Sequence, residues 1–175
     1  MLYAAYGSNL HPLRLRERVP SAELVLCSAL PNWTLRFHKK STDGSAKCNI
    51  VPSDQSVYFA IFDIDAKEKQ LLDRVEGLNY GYEEIVVIIP EYGECFSYVA
   101  SESHIDESLM PYSWYKELVL AGLEYHQVPL GYVESVRAIA HQADVDTRRR
   151  ETNMALVSRF KNGLISTSKR AHGYV

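Results

Sequence analysis

The chain has 175 residues, of which 46% are apolar and 23% charged, with a net charge of −3. That length suits one domain with a full core and is short for two, so a single domain over 1–175 is expected. The mild acidity leaves no basic face for nucleic acid. No apolar stretch reaches the roughly 20 residues that a membrane span needs. Met1 to Tyr6 lacks the basic start of a signal peptide. Cys27, Cys48 and Cys95 are isolated and odd in number, which reads as reduced thiols in a cytoplasmic protein.

In chain order, Leu2 to Tyr6 forms a short apolar strand that stops at Gly7. A helix follows over Leu10 to about Arg18, capped by Asn9, or by His11 with Pro12 in the first helical position. Ala22 to Phe37 reads as two strands or one bent strand, and Ser41 to Lys47 as a loop. Cys48–Val51 and Val57–Ile64 read as paired strands divided by the turn residues Pro52-Ser53-Asp54. Asp65 opens a helix by a capping-box spacing to Glu68; Leu71, Leu72 and Val75 form its apolar face and Gly77 its stop. Tyr82–Ile89 and Glu94–Ala100 flank Pro90-Glu91-Tyr92-Gly93 as a hairpin. Helices are expected at Ser113–Tyr125, Pro129–Ala140 and Thr147–Lys161, the last capped by Asp144 or Asp146. Arg148-Arg149-Arg150 reads as a solvated helix face, and 163–175 as a flexible tail. Strands fill the first hundred residues and helices the rest, which points to α+β, as a curved sheet or barrel with packed helices.

Several chemistries are not supported. The six histidines never fall at metal-ligand spacing with one another or with cysteine, so no metal site is expected. Phosphate-cradling glycine loops and the Gly-x-Ser-x-Gly elbow are absent. Two features remain. The first is Tyr6-Gly7-Ser8-Asn9-Leu10, where a strand breaks at glycine and leaves consecutive backbone N–H groups facing one way, an arrangement that holds a carboxylate or developing oxyanion. Such a corner also serves a fold without any ligand. The second is Leu72-Asp73-Arg74-Val75-Glu76-Gly77, which puts the Glu76 carboxylate at a helix C-terminus, where the dipole disfavours negative charge. That placement suits a group that accepts and returns a proton. Asp73 shares the helix face, so a paired-carboxylate glycosidase is a weaker reading.

Together these segments resemble the γ-glutamylcyclotransferase family. The resemblance rests on Leu2-Tyr3-Ala4-Ala5-Tyr6-Gly7-Ser8-Asn9-Leu10 and on Leu72 to Gly77 followed by Gly81-Tyr82. It extends through Pro20-Ser21-Ala22, Asn49-Ile50-Val51-Pro52, Ser97-Tyr98, Tyr115-Lys116 and Pro129-Leu130. It implies a mixed-strand β-barrel with flanking helices and a cofactor-free enzyme that cyclises a small-molecule γ-glutamyl amino acid or amine to 5-oxoproline. Glu76 would be the catalytic acid/base, and Tyr6, Gly7, Ser8, Asn9 and Leu10 would hold the substrate, with Tyr82, Tyr98 and Tyr115 lining its pocket. Ala4-Ala5 and Tyr58-Phe59-Ala60-Ile61 depart from the family pattern and bear on the acceptor side of the pocket. The competing reading is a non-catalytic binding module for a γ-glutamyl or carboxylate metabolite. No nucleic-acid or membrane partner is expected; a homodimer is left open.

Overall fold

In the computed structural model, residues 1–171 are described, with side chains described through 162. The first strand, β1 (Leu2–Ala5), runs down the middle of a five-stranded sheet. It pairs antiparallel with β3 (Ala46–Asp63) on one side and parallel with β5 (Gly93–Ala100) on the other. The edges are β2 (Glu23–Lys40), beside β3, and β4 (Tyr82–Ile89), beside β5. The order β2-β3-β1-β5-β4 leaves the edges unpaired to one another. The α+β class and the mixed strands agree with expectation; the sheet is not closed, so the expected barrel is not observed.

The largest departure from the sequence reading lies in β2 and β3. Cys48–Val51 and Val57–Ile64 do not pair with each other, because both belong to one strand that pairs along its length with β2. The turn residues Pro52-Ser53-Asp54 sit in a bulge, where the register shifts between Pro31 and Trp33 and Asn32 takes a φ of 69°. Proline cannot donate to the ladder and is tolerated at such irregularities, so the punctuation bends the strand without ending it.

Helix α1 is short, Pro12–Arg16, and His11 caps it by accepting from the Leu13 N–H, which settles the choice between the two caps. Asp65 caps a single 3₁₀ turn (Ala66–Glu68) that leads into α2 (Lys69–Glu76). Glu68 does not complete a capping box; its carboxylate accepts from the N–H and hydroxyl of Ser21. Only Leu72 of the expected apolar face is buried, while Leu71 and Val75 face solvent. Gly77 ends α2 in the left-handed region (φ 73°), as its position foretold.

Helix α3 (Ser113–Tyr125) is apolar nearly all round and lies buried between the sheet and α5 (Thr147–Ala171). Helix α4 (Leu130–Arg137) packs against α3 and ends before the expected Ala140. Asp146 accepts from the Arg149 N–H at the start of α5. Arg149 leaves the solvated face expected for the arginine run. Its guanidinium holds the fully buried Asp144 carboxylate at 2.6 Å, which also accepts from Trp114 Nε1. The sequence-expected tail from Gly163 falls on residues whose side chains, and from 172 whose backbone, lie outside the described part of the chain. No helix among the described residues is long and apolar enough to cross a membrane.

Candidate active site

At the end of β1 the chain turns sharply. The Leu10 N–H closes this turn onto the Gly7 carbonyl at 3.0 Å. That bond removes the Leu10 amide from the set expected to hold an anion. Leu10 is fully buried beneath α3 and serves as an anchor for the turn. Its approach to Gly122 is so close that a Cβ there would lie 2.4 Å from the Leu10 Cβ. The amides of Gly7, Ser8 and Asn9 remain without a protein acceptor among the described residues. All three residues line one small cavity that is partly open to solvent. Space is tight at Gly7: a Cβ would stand 3.2 Å from the Cys48 Cβ, so that side chain would have to give by a few tenths of an ångström.

Glu76 closes the same cavity from the last turn of α2. Its Oε1 accepts from Asn9 Nδ2 at 2.7 Å and faces Arg18 Nη1 at 3.4 Å. Arg18 in turn donates to Asn9 Oδ1 at 2.8 Å. Asn9, buried, is therefore the link between the turn, the carboxylate and a guanidinium. The helix-end argument for Glu76 did not include these two donors.

Five tyrosines line the remainder of the cavity, Tyr3 and Tyr6 from β1 and the turn after it, with Tyr82, Tyr98 and Tyr115. The hydroxyls of Tyr6 and Tyr82 donate to the carbonyls of Tyr98 (2.5 Å) and Cys48 (2.7 Å). Their oxygens keep lone pairs for an outside donor. Tyr115 does the reverse: its oxygen accepts from the Cys48 N–H at 3.1 Å while its own proton faces the Cys48 sulfur, a weak acceptor that a stronger one could replace. Burial pushes the hydroxyls of Tyr3, Tyr6, Tyr82 and Tyr115 well above the ordinary phenol range, so all four are neutral. The Cys48 thiol is likewise pushed up to about 12 by burial, which removes it as a nucleophile.

Tyr98 is a strut as well as a wall. Its hydroxyl donates to Asp73 Oδ1 at 2.6 Å, and Lys69 holds that same oxygen at 2.7 Å and Glu84 at 2.6 Å. Asp73 is thus committed to Tyr98 and Lys69, which argues against the paired-carboxylate glycosidase reading. Among the described residues no group of three or more His, Cys, Asp or Glu stands close enough to hold a metal.

The arrangement offers two opposite kinds of partner within one small cavity: N–H donors from the turn and acceptor oxygens from Tyr6, Tyr82 and Glu76. It thus matches a zwitterion, and relatives with known names narrow the choice. The human γ-glutamylcyclotransferase is 30% identical over 150 residues, covering 79% of this chain and 78% of the human one. The chain belongs to the γ-glutamylcyclotransferase family. The mouse enzyme of the same name is 29% identical over the same span. A solved γ-glutamyl cyclotransferase superimposes with a TM-score of 0.77 at 27% identity, covering 90% of this chain and 98% of that one. A sequence model of the AIG2-like family matches residues 56–136. This γ-glutamylcyclotransferase relative brings Glu76, Tyr6 to Asn9, Tyr82, Tyr98 and Tyr115 to one cavity and leaves Leu10 beneath it. Arg18, Tyr3 and Cys48 were not among the residues singled out from the sequence. Arg18 has no spacing signal, since its partners lie 9 and 58 residues away. The departure at Phe59 does bear on the site, because its ring packs edge-on against Tyr6 at 5.6 Å.

Proposed function

We propose that this family member cyclises a γ-glutamyl amino acid or γ-glutamylamine to 5-oxoproline, with Glu76 as the single general acid/base. The observation that carries the reading is the 2.7 Å hydrogen bond by which Asn9, in the anion-holding turn, fixes the Glu76 carboxylate over the same cavity. The free amides of Gly7, Ser8 and Asn9, with the Tyr115 hydroxyl, receive the substrate's α-carboxylate or its γ-carbonyl oxygen. The oxygens of Tyr6 and Tyr82 receive the α-ammonium.

Glu76 takes one proton from the α-ammonium. The freed amine attacks the γ-carbonyl carbon, a C–N bond closes the five-membered ring, and the C–N bond to the leaving group breaks. Glu76 gives that proton to the departing nitrogen as its C–N bond breaks. The second proton shed by the ring nitrogen passes by the same carboxylate to the released amine, which leaves as an ammonium, so no water enters and the charge balances. With ordinary values of about 4.3 for a glutamate and about 8 for an α-amine, the first transfer is uphill by roughly 5 kcal/mol. Because nucleophile and electrophile arrive in one molecule, holding them in line supplies much of the acceleration. In this reading the protein works in the cytoplasm without a cofactor, alone or as a homodimer.

The test is release of 5-oxoproline from a panel of γ-glutamyl substrates, with Glu76→Gln as the control. Gln keeps the acceptor oxygen for Asn9 and Arg18 but cannot carry the proton. A loss of about 10²- to 10⁴-fold in kcat at an unchanged unfolding midpoint is expected. A folded Gln variant that turns over normally refutes the mechanism. Calorimetric binding without product across the panel would establish the binding-module alternative.

A further inference from the structure

Lys39, near the end of β2, is a buried cation with no anion of its own. Only 8% of the residue is exposed, yet its ammonium has neither an ion pair nor a hydrogen-bond acceptor among the described residues. The acids that act on it are engaged elsewhere: Glu76 is held by Asn9 at 2.7 Å and faces Arg18 at 3.4 Å, and Asp43 holds Lys47 at 2.7 Å. The Lys39 Nζ instead stands 4.6 Å from the centre of the Tyr82 ring, which is a wall of the candidate site. Its stem reaches that position along Gly81, whose φ of 123° and missing side chain make the path. A Cβ at Gly81 would lie 3.1 Å from the Lys39 Cε and 2.8 Å from the His104 ring. Burial pushes the ammonium down from its ordinary value, and the Glu76 carboxylate across the site acts to keep it charged.

Lys39 stands behind the Tyr82 wall and not in the cavity lining, and a desolvated cation offset only by a ring face is costly unless an anion joins it. The glutamyl head has one carboxylate, and of the two groups the turn amides can take, that one is assigned to them. A second anion must come from the other half of the substrate. We propose that Lys39 is the specificity-determining residue that receives the carboxylate of the leaving amino acid, so that γ-glutamyl amino acids are preferred over γ-glutamylamines lacking that group. This rests on the cyclotransferase reading above.

The experiment compares γ-glutamyl-L-alanine with γ-glutamylethylamine, which differs by that carboxylate alone, in the wild-type protein, Lys39→Met and Lys39→Arg. Met keeps the stem against Gly81 and Tyr82 while removing the charge. The wild type is expected to favour the alanine compound in kcat/KM by about 10- to 100-fold. Lys39→Met should raise KM for the alanine compound by that factor, leave the ethylamine within about twofold and so erase the preference, and Lys39→Arg should restore part of it. An equal fall for both compounds, or an unchanged preference, overturns the assignment. If neither compound yields 5-oxoproline, the cyclotransferase reading fails, and calorimetry with the same pair and variants still decides whether Lys39 reads the carboxylate.

Discussion

Replacing Asn9 with Ala removes three contacts at once. Two involve charged partners, the 2.7 Å donation to Glu76 and the 2.8 Å acceptance from Arg18; the third is the 3.3 Å donation to the Tyr3 hydroxyl. Hydrogen bonds to charged groups contribute about 1.5–3 kcal/mol each and neutral ones about 1, for an upper bound of about 4–7 kcal/mol. Glu76 and Arg18 keep 18% and 20% of their side-chain surface open and already face each other at 3.4 Å, so water and mutual pairing recover part of the loss. The net expectation is a destabilisation of about 2–3 kcal/mol, read from the urea midpoint. Glu76 also loses the contact that holds it over the cavity, and a comparable loss in the transition state lowers kcat/KM for 5-oxoproline release by about 30- to 150-fold. Asn9→Asp sharpens the test, because it places a second carboxylate where the amide donates at 2.7 Å. Unit charges about 4 Å apart repel by roughly 4 kcal/mol at an effective dielectric near 20, and Arg18 offsets only part of that. Asp should therefore be worse than Ala in both kcat/KM and the urea midpoint. An Asn9→Ala protein within twofold of wild type in kcat/KM, with an unshifted midpoint, refutes the assignment of Asn9 as the link.

Gly122→Ala forces α3 away from the turn, since its Cβ would meet the Leu10 Cβ at 2.4 Å and the His11 nitrogen at 3.1 Å; a cost of about 1–3 kcal/mol is expected in thermal or urea unfolding. His11 lies buried between the rings of Tyr125 and Phe160, and burial, then His126, lowers it from 6.5 to about 4. The unfolded chain therefore binds the extra proton first, so stability is full above about pH 6.5 and declines as pH falls towards 4. His126 is lowered as well and adds a slope of the same sign. His11→Asn, which keeps a capping acceptor, should flatten the slope measured by urea unfolding between pH 7 and 4; an unaltered slope refutes the role of His11.

Local signals fared well where the physics is local. The bounds of α3 and β4 coincide with those read from periodicity and flanking turn residues, and the Gly77 stop requires only a left-handed residue at the end of α2. The Tyr6-Gly7-Ser8-Asn9 turn and Glu76 were legible because each carries its own chemical signature. What escaped was decided between distant segments. Pro52 reads as a strand breaker until a partner strand with its own irregularity at Asn32 accommodates it. Leu10 reads as part of an amide cradle until the Gly7 carbonyl claims its N–H. Arg18 and Lys39 gain their meaning only from Glu76 and Tyr82, which the fold brings to them across 58 and 43 positions of chain.

The sheet joins β1 to β5 by a single registered pair, Tyr3 with Phe96, whereas β2–β3 and β4–β5 are hydrogen-bonded along their lengths. Side chains make good the shortage: Ser97 Oγ bonds the Ala4 carbonyl at 2.7 Å, Tyr6 bonds that of Tyr98, and the rings of Tyr3 and Phe96 stack at 5.2 Å. Tyr3, Tyr6 and Tyr98, which carry part of this seam, also line the cavity, so a ligand seated there bridges β1 and β5 where the backbone ladder is thinnest and fastens the two sides of the sheet together.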